Sequence, residues 1–225
     1  MKHILIKITY LTCFFYSANN YNTTKDPLPT QTIHQLLALN GTLDALFFTP
    51  DEAPQVKALL LELINHEAES IRAALFRLTD KPIVDALISA HTRGVVVELV
   101  IDSGALDTKN YSKVSLAIRS GIPVYEYQNI GLIGHEHTNS RYKTIMHHKT
   151  FIFANTLGGS VVFFGSLNPT YAGFHGNEEA VQIRNNLTIV TGFARHFEKL
   201  KKRSNQLPLD YTRKKTKKQL RITQN

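Results

Sequence analysis

Short apolar runs alternate with stretches of helical periodicity over the middle of this chain. The runs are rich in β-branched and aromatic residues, which predicts buried strands. They cover 45–48, 71–78, 95–101 and 122–127. Between them, apolar residues recur every three or four positions, as in amphipathic helices. These helices are expected over 54–68, from Asp80 to Gly94, and near 111–120.

A second pattern follows in the C-terminal half. Two β-rich runs, IMHHKTFIFA and SVVFFGSLNPT, are joined by a turn that contains Gly158 and Gly159, which predicts a hairpin. A last amphipathic helix carries Ile189 and Leu200 on its apolar face. Strands that alternate with helices predict an α/β fold, in which a parallel or mixed β-sheet is flanked by helices on both faces. We place this single domain at residues 42–203.

The N-terminus differs from the rest in composition. Residues 1–18 combine Lys2 and Lys7 with an apolar stretch that ends in Ser17-Ala18, which predicts a signal peptide and a secreted or periplasmic protein. An uncleaved membrane anchor and a cytoplasmic start are the alternatives. Residues 19–41 are rich in Asn, Thr and Pro and are expected to be a linker. The single cysteine, Cys13, excludes a disulfide within the domain.

The positive charge is concentrated at the C-terminus. The chain has a net charge of +8, but residues 199–225 alone hold ten Lys or Arg and one Asp, which leaves the remainder near −1. We expect residues 204–225 to be a basic, disordered tail. Such a tail is either simply solvated or binds a polyanion.

Four polar residues stand at the ends of the two hairpin runs: His147, Lys149, Ser166 and Asn168. His147 and Lys149 are two positions apart, so they share one face of a strand, whereas His148 points to the other. A buried lysine without an anion nearby would be costly. A nucleophile, a fixed positive charge and neutral donors around one point are what chemistry on a phosphate requires.

The order His-Xaa-Lys, then Gly-Ser-Xaa-Asn, resembles the phospholipase D superfamily, whose repeat is HxKxxxxD followed by GSxN and often by an acid. The matched residues are His147, Lys149, Gly165, Ser166, Asn168 and Glu179. The resemblance covers roughly residues 42–203 and implies a nuclease-like, metal-independent phosphodiesterase that acts through a phosphohistidine. It implies no cofactor.

The resemblance also implies a role for each residue. His147 would attack phosphorus, while Lys149 and Asn168 would hold the phosphoryl oxygens and Ser166 would support them. Glu179 would hydrogen-bond a histidine and fix its tautomer. Because the chain holds one copy of the motif, the second histidine would come from a partner subunit in a homodimer.

The substrate stays open between nucleic acid and anionic phospholipid, so a phospholipase D is the first alternative to a nuclease. An inactive phosphate-binding module is the second, because Ala154 stands where the family has its Asp, with Asn155 as a partial substitute. His135 and His137 precede the motif, but their spacing matches no established zinc pattern, so we expect no metal site.

Overall fold

The computed structural model describes residues 41–106, 113–127 and 145–211. Within these residues, eight strands form one mixed sheet in the order β1–β7–β6–β5–β2–β3–β4–β8. The strands are β1 (Asp44–Thr49), β2 (Ser70–Leu75), β3 (Val96–Asp102), β4 (Val124–Tyr127), β5 (Lys149–Thr156), β6 (Gly159–Gly165), β7 (Glu179–Arg184) and β8 (Ser204–Gln206). The helices are α1 (Ala53–His66), α2 (Lys81–Thr92), α3 (Ser103–Leu106), α4 (Val114–Arg119), α5 (Tyr171–His175) and α6 (Leu187–Lys202).

The N-terminal half forms the parallel part of the sheet. Strands β2, β3 and β4 pair in parallel, and helices connect them. The α2 connection starts where expected, because the Asp80 side chain accepts the Ile83 backbone N–H at 3.2 Å as an N-cap. The second half is antiparallel, with the β5–β6 hairpin between β2 and β7.

The sheet carries a hydrophobic core on each face. On one face the apolar sides of α1, α2, α4 and α5 pack against inward-pointing residues such as Phe151 and Phe163. On the other face, α6 is the one described helix that packs against Val100, Ile152 and Val162, through Val190, Phe197 and Leu200. The prediction of a mixed α/β sheet with helices on both faces is therefore confirmed.

The structure adds elements that the sequence pattern did not indicate. Strand β7 and the short helix α5 lie in the stretch between Asn168 and the last helix, for which the sequence analysis makes no prediction of secondary structure. The predicted tail also starts too early: residues 204–206 form β8, which pairs with β4, and Leu207 is buried against the core. The ordered domain thus continues past residue 203, because β8 pairs with β4 and Leu207 packs into the core.

Several predictions fall outside the described residues. They are the signal peptide at 1–18, the linker at 19–40, His135 and His137, and the basic stretch from 212 onward. Among the described helices, none combines the length and the apolar character needed to cross a membrane.

Candidate active site

Three neighbouring strands meet at one edge of the sheet, where the predicted site residues are found. Lys149 opens β5, Gly165 closes β6 and Glu179 opens β7. Thr150 pairs with Phe164, which places Lys149 opposite Gly165 in the same antiparallel register. Gly165 in turn pairs with Val181. Residues separated by up to 30 positions in sequence therefore lie side by side.

The Gly165-Ser166 pair holds the end of β6 tightly to β7. A Cβ atom on Gly165 would lie 2.0 Å from the backbone oxygen of Ala180, so only glycine allows this approach. Ser166 then makes two bonds to Ala180. Its backbone N–H donates to the Ala180 oxygen, and its Oγ accepts the Ala180 N–H, each at 3.0 Å. Ser166 thus fixes the backbone directly after Glu179.

Lys149 is a buried cation with little compensation. Its side chain is 4% exposed, and its Nζ donates to the His147 backbone oxygen at 2.9 Å. The same Nζ lies 5.1 Å from the centre of the Phe76 ring. Burial lowers the pKa of Lys149, and the charge of Glu179 opposes that shift. In the part of the chain that the structure describes, no carboxylate forms an ion pair with Lys149.

His147 is exposed beside this cation. Its ring packs edge-on against Phe76, with 4.7 Å between the ring centres and 63° between the planes. Phe76 is itself held in place, because its backbone N–H donates to the His148 oxygen at 2.7 Å. One aromatic ring therefore contacts both the imidazole of His147 and the ammonium group of Lys149.

His148 points to the opposite face, as the strand alternation predicts. Its ring lies 4.9 Å from that of His196 on α6. Its pKa is lowered, first by burial and then by the neighbouring charges of His196, Lys149 and His147. The ring of His148 thus lies against α6, whereas the ammonium group of Lys149 lies against Phe76.

Asn168 lies in a turn that is fixed from two sides. The Pro169 oxygen accepts the backbone N–H groups of Thr79 and Asp80, each at 3.0 Å. Gly173 approaches the Asn168 backbone so closely that a Cβ there would lie 2.2 Å from its oxygen. The carboxamide itself is unused, since its buried Oδ1 has no hydrogen-bond partner among the described residues. This oxygen can only accept a hydrogen bond, so an anion would be bound by the carboxamide Nδ2, for which the described residues show no hydrogen bond either.

Glu179 faces the same side of the sheet as Lys149, because both share the alternation of buried residues in their strands. Its Oε1 accepts a hydrogen bond from Asn177 Nδ2 at 3.0 Å. In the described chain it makes no hydrogen bond to a histidine. The predicted contact between Glu179 and an imidazole therefore stays a prediction.

Asp102 is a positioning residue that the sequence analysis missed. It ends β3, is 1% exposed, and accepts the backbone N–H of Met146 through Oδ2 and that of Gly104 through Oδ1, both at 2.8 Å. The first bond fixes the residue directly before His147. The available signal was an acidic residue at the end of a continuous apolar run, where parallel strands direct polar groups to one edge.

The position of the missing family Asp lies away from this edge. Ala154 is five residues beyond Lys149, about 16 Å along the strand. A carboxylate is nevertheless present at that end of β5, because the buried Glu67 accepts the Asn155 N–H at 2.9 Å and the Thr156 hydroxyl at 2.7 Å. It also accepts the backbone N–H groups of Glu69 and Ser70. Asn155 thus contributes its backbone here, and Glu67 supplies the acid.

The arrangement as a whole suits an anion. A buried ammonium group, an exposed imidazole and an unused carboxamide come from strand ends and turns that the surrounding hydrogen bonds hold rigidly. No cluster of three or more His, Cys, Asp or Glu with metal-binding geometry occurs in ranges 41–106, 113–127 and 145–211.

Comparison with known proteins connects this site to a family. Residues 60–201 match the family described as "Cardiolipin synthase, PLD-like domain". The mitochondrial cardiolipin hydrolase of Xenopus laevis is 27% identical over 142 residues, which is 63% of this chain and 59% of that protein. The protein of the same name from Xenopus tropicalis is 26% identical over 141 residues. The chain thus spans about three fifths of the length of these relatives.

Two solved structures share the fold. NucT from Helicobacter pylori has a TM-score of 0.65 at 20% identity, over 74% of this chain and 99% of that one. Nuc from Salmonella typhimurium, a phospholipase D family member, has a TM-score of 0.61 at 25% identity with the same coverage. The match to the family covers more than half of the chain and includes the edge of the sheet with His147 and Lys149, and on this evidence the chain belongs to the PLD-like domain family of the phospholipase D superfamily.

Proposed function

We propose that this chain is a metal-independent phosphodiesterase, nuclease-like in its substrate, that acts through a phosphohistidine intermediate as a homodimer. One observation supports this most directly. Lys149 is buried without an ion-pair partner in the described chain, next to an exposed His147. A buried ammonium group is costly unless an anion completes its surroundings. A phosphate bound at this edge would supply that anion.

In the proposed reaction, a ring nitrogen of His147 attacks phosphorus, and the bond from phosphorus to the leaving oxygen breaks. Lys149 neutralises the negative charge that accumulates on the non-bridging oxygens, and the Asn168 Nδ2–H donates a hydrogen bond to them. A second imidazole donates a proton to the leaving oxygen. The same imidazole, now neutral, takes a proton from water as the water oxygen attacks the phosphohistidine. The phosphorus–nitrogen bond then breaks, and both histidines return to their starting forms.

The need for a second imidazole supports the dimer. Within the described residues, the ring that packs against His147 is Phe76, and the adjacent His148 points to the other face. The described residues thus show no second imidazole in ring contact with His147. A two-fold axis next to His147 would bring the partner's copy to the opposite side of the phosphate. Glu179 would orient one of these two rings.

The substrate class is proposed from charge and relatives. The basic residues after 198 favour a polyanion such as single-stranded DNA or RNA. The runner-up is a phospholipase D, because two relatives are named cardiolipin hydrolases. An anionic membrane surface would attract the same basic residues. In keeping with the N-terminal sequence, we also propose a secreted or periplasmic location.

An inactive phosphate-binding module is the second alternative, and the structure weakens its main argument. That argument is Ala154 in place of the family acid. Position 154 lies at the far end of β5 from Lys149, and Glu67 places a carboxylate there. The chain has all five residues to which the family resemblance gives a role in the reaction: His147, Lys149, Ser166, Asn168 and Glu179.

The test compares wild-type protein with His147→Ala on single-stranded DNA, RNA and phosphatidyl lipids, each with and without a chelator. We expect chelator-resistant cleavage that His147→Ala abolishes. The control is His66→Ala, which removes an imidazole on α1 outside the candidate site and should keep full activity. Cleavage of lipid alone would assign the phospholipase. Binding of all three substrates without turnover would favour the inactive module and overturn the proposal.

The dimer has its own test. Sedimentation at assay concentrations should give a mass of two chains for wild type and for His147→Ala. Mixing increasing amounts of His147→Ala into wild type should inactivate it more steeply than dilution, because mixed dimers lack one imidazole. A protein that is monomeric and fully active would contradict the two-histidine scheme.

A further inference from the structure

A cavity of about 430 Å³ extends from His147 across the strand end to the last turn of α6. One wall is formed by His147 and His148 together with Lys149 at the start of β5. The opposite wall is formed by α6 and the residue after it, with His196 and Arg203. The cavity therefore joins the candidate active site to a second group of basic side chains on the other face of the sheet.

The second group has hydrogen-bond donors and little competing negative charge. His148 and His196 lie with their rings 4.9 Å apart, and Arg203 follows the end of α6. In the described part of the chain, neither His196 nor Arg203 forms an ion pair. Two acidic residues near this face pair with other side chains: Glu98 pairs with Lys201 and Arg72, and Glu198 pairs with Arg72.

These donors have the chemistry of a phosphate site. A guanidinium group offers a planar pair of N–H donors that matches phosphate oxygens, and each imidazole adds one more. The cavity wall beneath them is apolar, with the rings of Phe164 and Phe193 4.8 Å apart. An apolar wall lowers the local dielectric and so strengthens the attraction between these donors and an anion. It also offers contact to the carbon-rich part of a substrate.

We infer that this cavity is a second phosphate subsite, which binds the phosphate group next along the substrate from the one that His147 attacks. The inference rests on the proposed phosphodiesterase function and narrows its substrates to those with two phosphate groups close together. A nucleic-acid strand and a diphosphatidyl lipid both meet this condition. A simple one-phosphate diester does not.

The test uses two substrate pairs whose members differ by one phosphate. The first pair is thymidylyl-thymidine with and without an added terminal phosphate. The second pair is diphosphatidylglycerol and phosphatidylglycerol in vesicles of otherwise equal composition. The readout is the ratio of kcat/KM within each pair. For the pair that the enzyme accepts, we expect wild type to favour the two-phosphate member by about tenfold, which corresponds to about 1.4 kcal/mol.

Variants locate the effect in the cavity. Arg203→Gln and His196→Gln should each reduce the ratio, and the double variant should bring it close to one. Arg195→Gln is the matched control, because it removes a charge from the same helix at a residue that does not line the cavity. It should keep the wild-type ratio. A wild-type ratio of one, or an equal loss in Arg195→Gln, would overturn the subsite.

A failure of the proposed function would look different. If no substrate of either pair is cleaved, the phosphodiesterase proposal fails, and the subsite is then tested by binding alone. Inorganic phosphate is titrated into His147→Ala while the imidazole resonances of His148 and His196 are followed by NMR. Saturable shifts that Arg203→Gln weakens would support the subsite. Resonances that do not move would overturn it.

Discussion

The Lys149 ammonium group donates to the backbone oxygen of His147 at 2.9 Å. One hydrogen bond therefore links the side chain of the motif lysine to the backbone of the motif histidine. This bond occupies one of three donors on the ammonium group. The Phe76 ring covers another side of it at 5.1 Å. Among the described residues, the ammonium group makes no other hydrogen bond and no ion pair. The charge is therefore held in place before any substrate arrives.

Replacing Lys149 should separate activity from stability. Lys149→Met keeps the length of the side chain and removes the charge, so we expect kcat/KM to fall about 10²-fold or more. Burial lowers the pKa of Lys149 and thus disfavours its charged form in the folded state. The melting temperature of Lys149→Met should accordingly be unchanged or higher. Thermal unfolding and phosphodiesterase assays check the two expectations.

A control for this variant is Lys81→Met on α2, which removes an exposed lysine outside the site. It should change activity less than twofold by the usual behaviour of surface substitutions. A clear loss of stability in Lys149→Met with retained activity would mean that Lys149 serves the fold rather than the chemistry.

Gly165→Ala should damage both the fold and the site. The new Cβ would lie 2.0 Å from the Ala180 oxygen, which forces the ends of β6 and β7 apart. We expect a loss of about 1–3 kcal/mol in the free energy of unfolding, as for other overpacked positions. Activity should fall as well, because Ser166 and Glu179 flank the displaced contact. Urea unfolding gives the free energy.

Gly159→Ala is the matched comparison in the same strand. A Cβ there meets nothing within 4 Å, and the backbone is not in a conformation reserved for glycine. Its stability should lie within about 0.5 kcal/mol of wild type. If the two substitutions change the free energy of unfolding equally, the close approach at Gly165 does not contribute to stability.

We expect a substitution of Glu67 to lower the free energy of unfolding, and a substitution of Ala154 to change neither stability nor activity. Glu67→Gln replaces a buried carboxylate that accepts from the Asn155 backbone and the Thr156 hydroxyl, so we expect a loss of about 1–3 kcal/mol. Glu69→Gln, on an exposed neighbour, should have little effect. Restoring the family acid with Ala154→Asp should leave kcat/KM within about threefold, because the position lies about 16 Å along the strand from Lys149.

A large gain in activity in Ala154→Asp would contradict this account. It would mean that the family acid acts on the site over a distance that the strand geometry does not suggest. Unfolding by urea and steady-state kinetics on the same preparations separate the two cases.

Much of the fold could be predicted because its signals are local. The run Val95 to Ile101 and the helical period over 54–68 each determine an element within one stretch of sequence. Strand β7 carried a weaker signal. Its buried face consists of Val181 and Ile183 alone, and a half-buried strand near the edge of a sheet has too few apolar residues for its alternation to stand out.

The candidate site also has a local part, which the sequence could predict, and a non-local part, which it could not. The motif predicted that His147 and Lys149 share a face and that His148 does not, because alternation is a local property. The contacts that hold these residues are not local. Asp102 reaches Met146 across 44 positions, and Glu67 reaches Asn155 across 88. The periodicity of apolar residues carries no information about such distant pairs, so these contacts could be identified only from the structure.

The pair of His148 and His196 predicts how the protein responds to acid. The pKa of His148 lies below its ordinary value of 6.5, first because of burial and then because of repulsion from His196, Lys149 and His147. A histidine with a lowered pKa binds a proton less readily in the folded state than in the unfolded one. Its contribution to stability is therefore fully present above pH 6.5 and is lost as the pH falls through 6.5 toward the folded pKa.

We expect the melting temperature of wild type to fall between about pH 7.5 and pH 5, and that of His148→Gln to fall less. His196→Gln should move the pKa of His148 upward, because it removes one source of repulsion. NMR titration of the imidazole resonances measures this directly. His66→Gln, which lies outside the cavity, should leave the pKa of His148 unchanged. If His196→Gln also leaves it unchanged, the two rings do not interact in solution, and the basic wall of the cavity would not be a single unit.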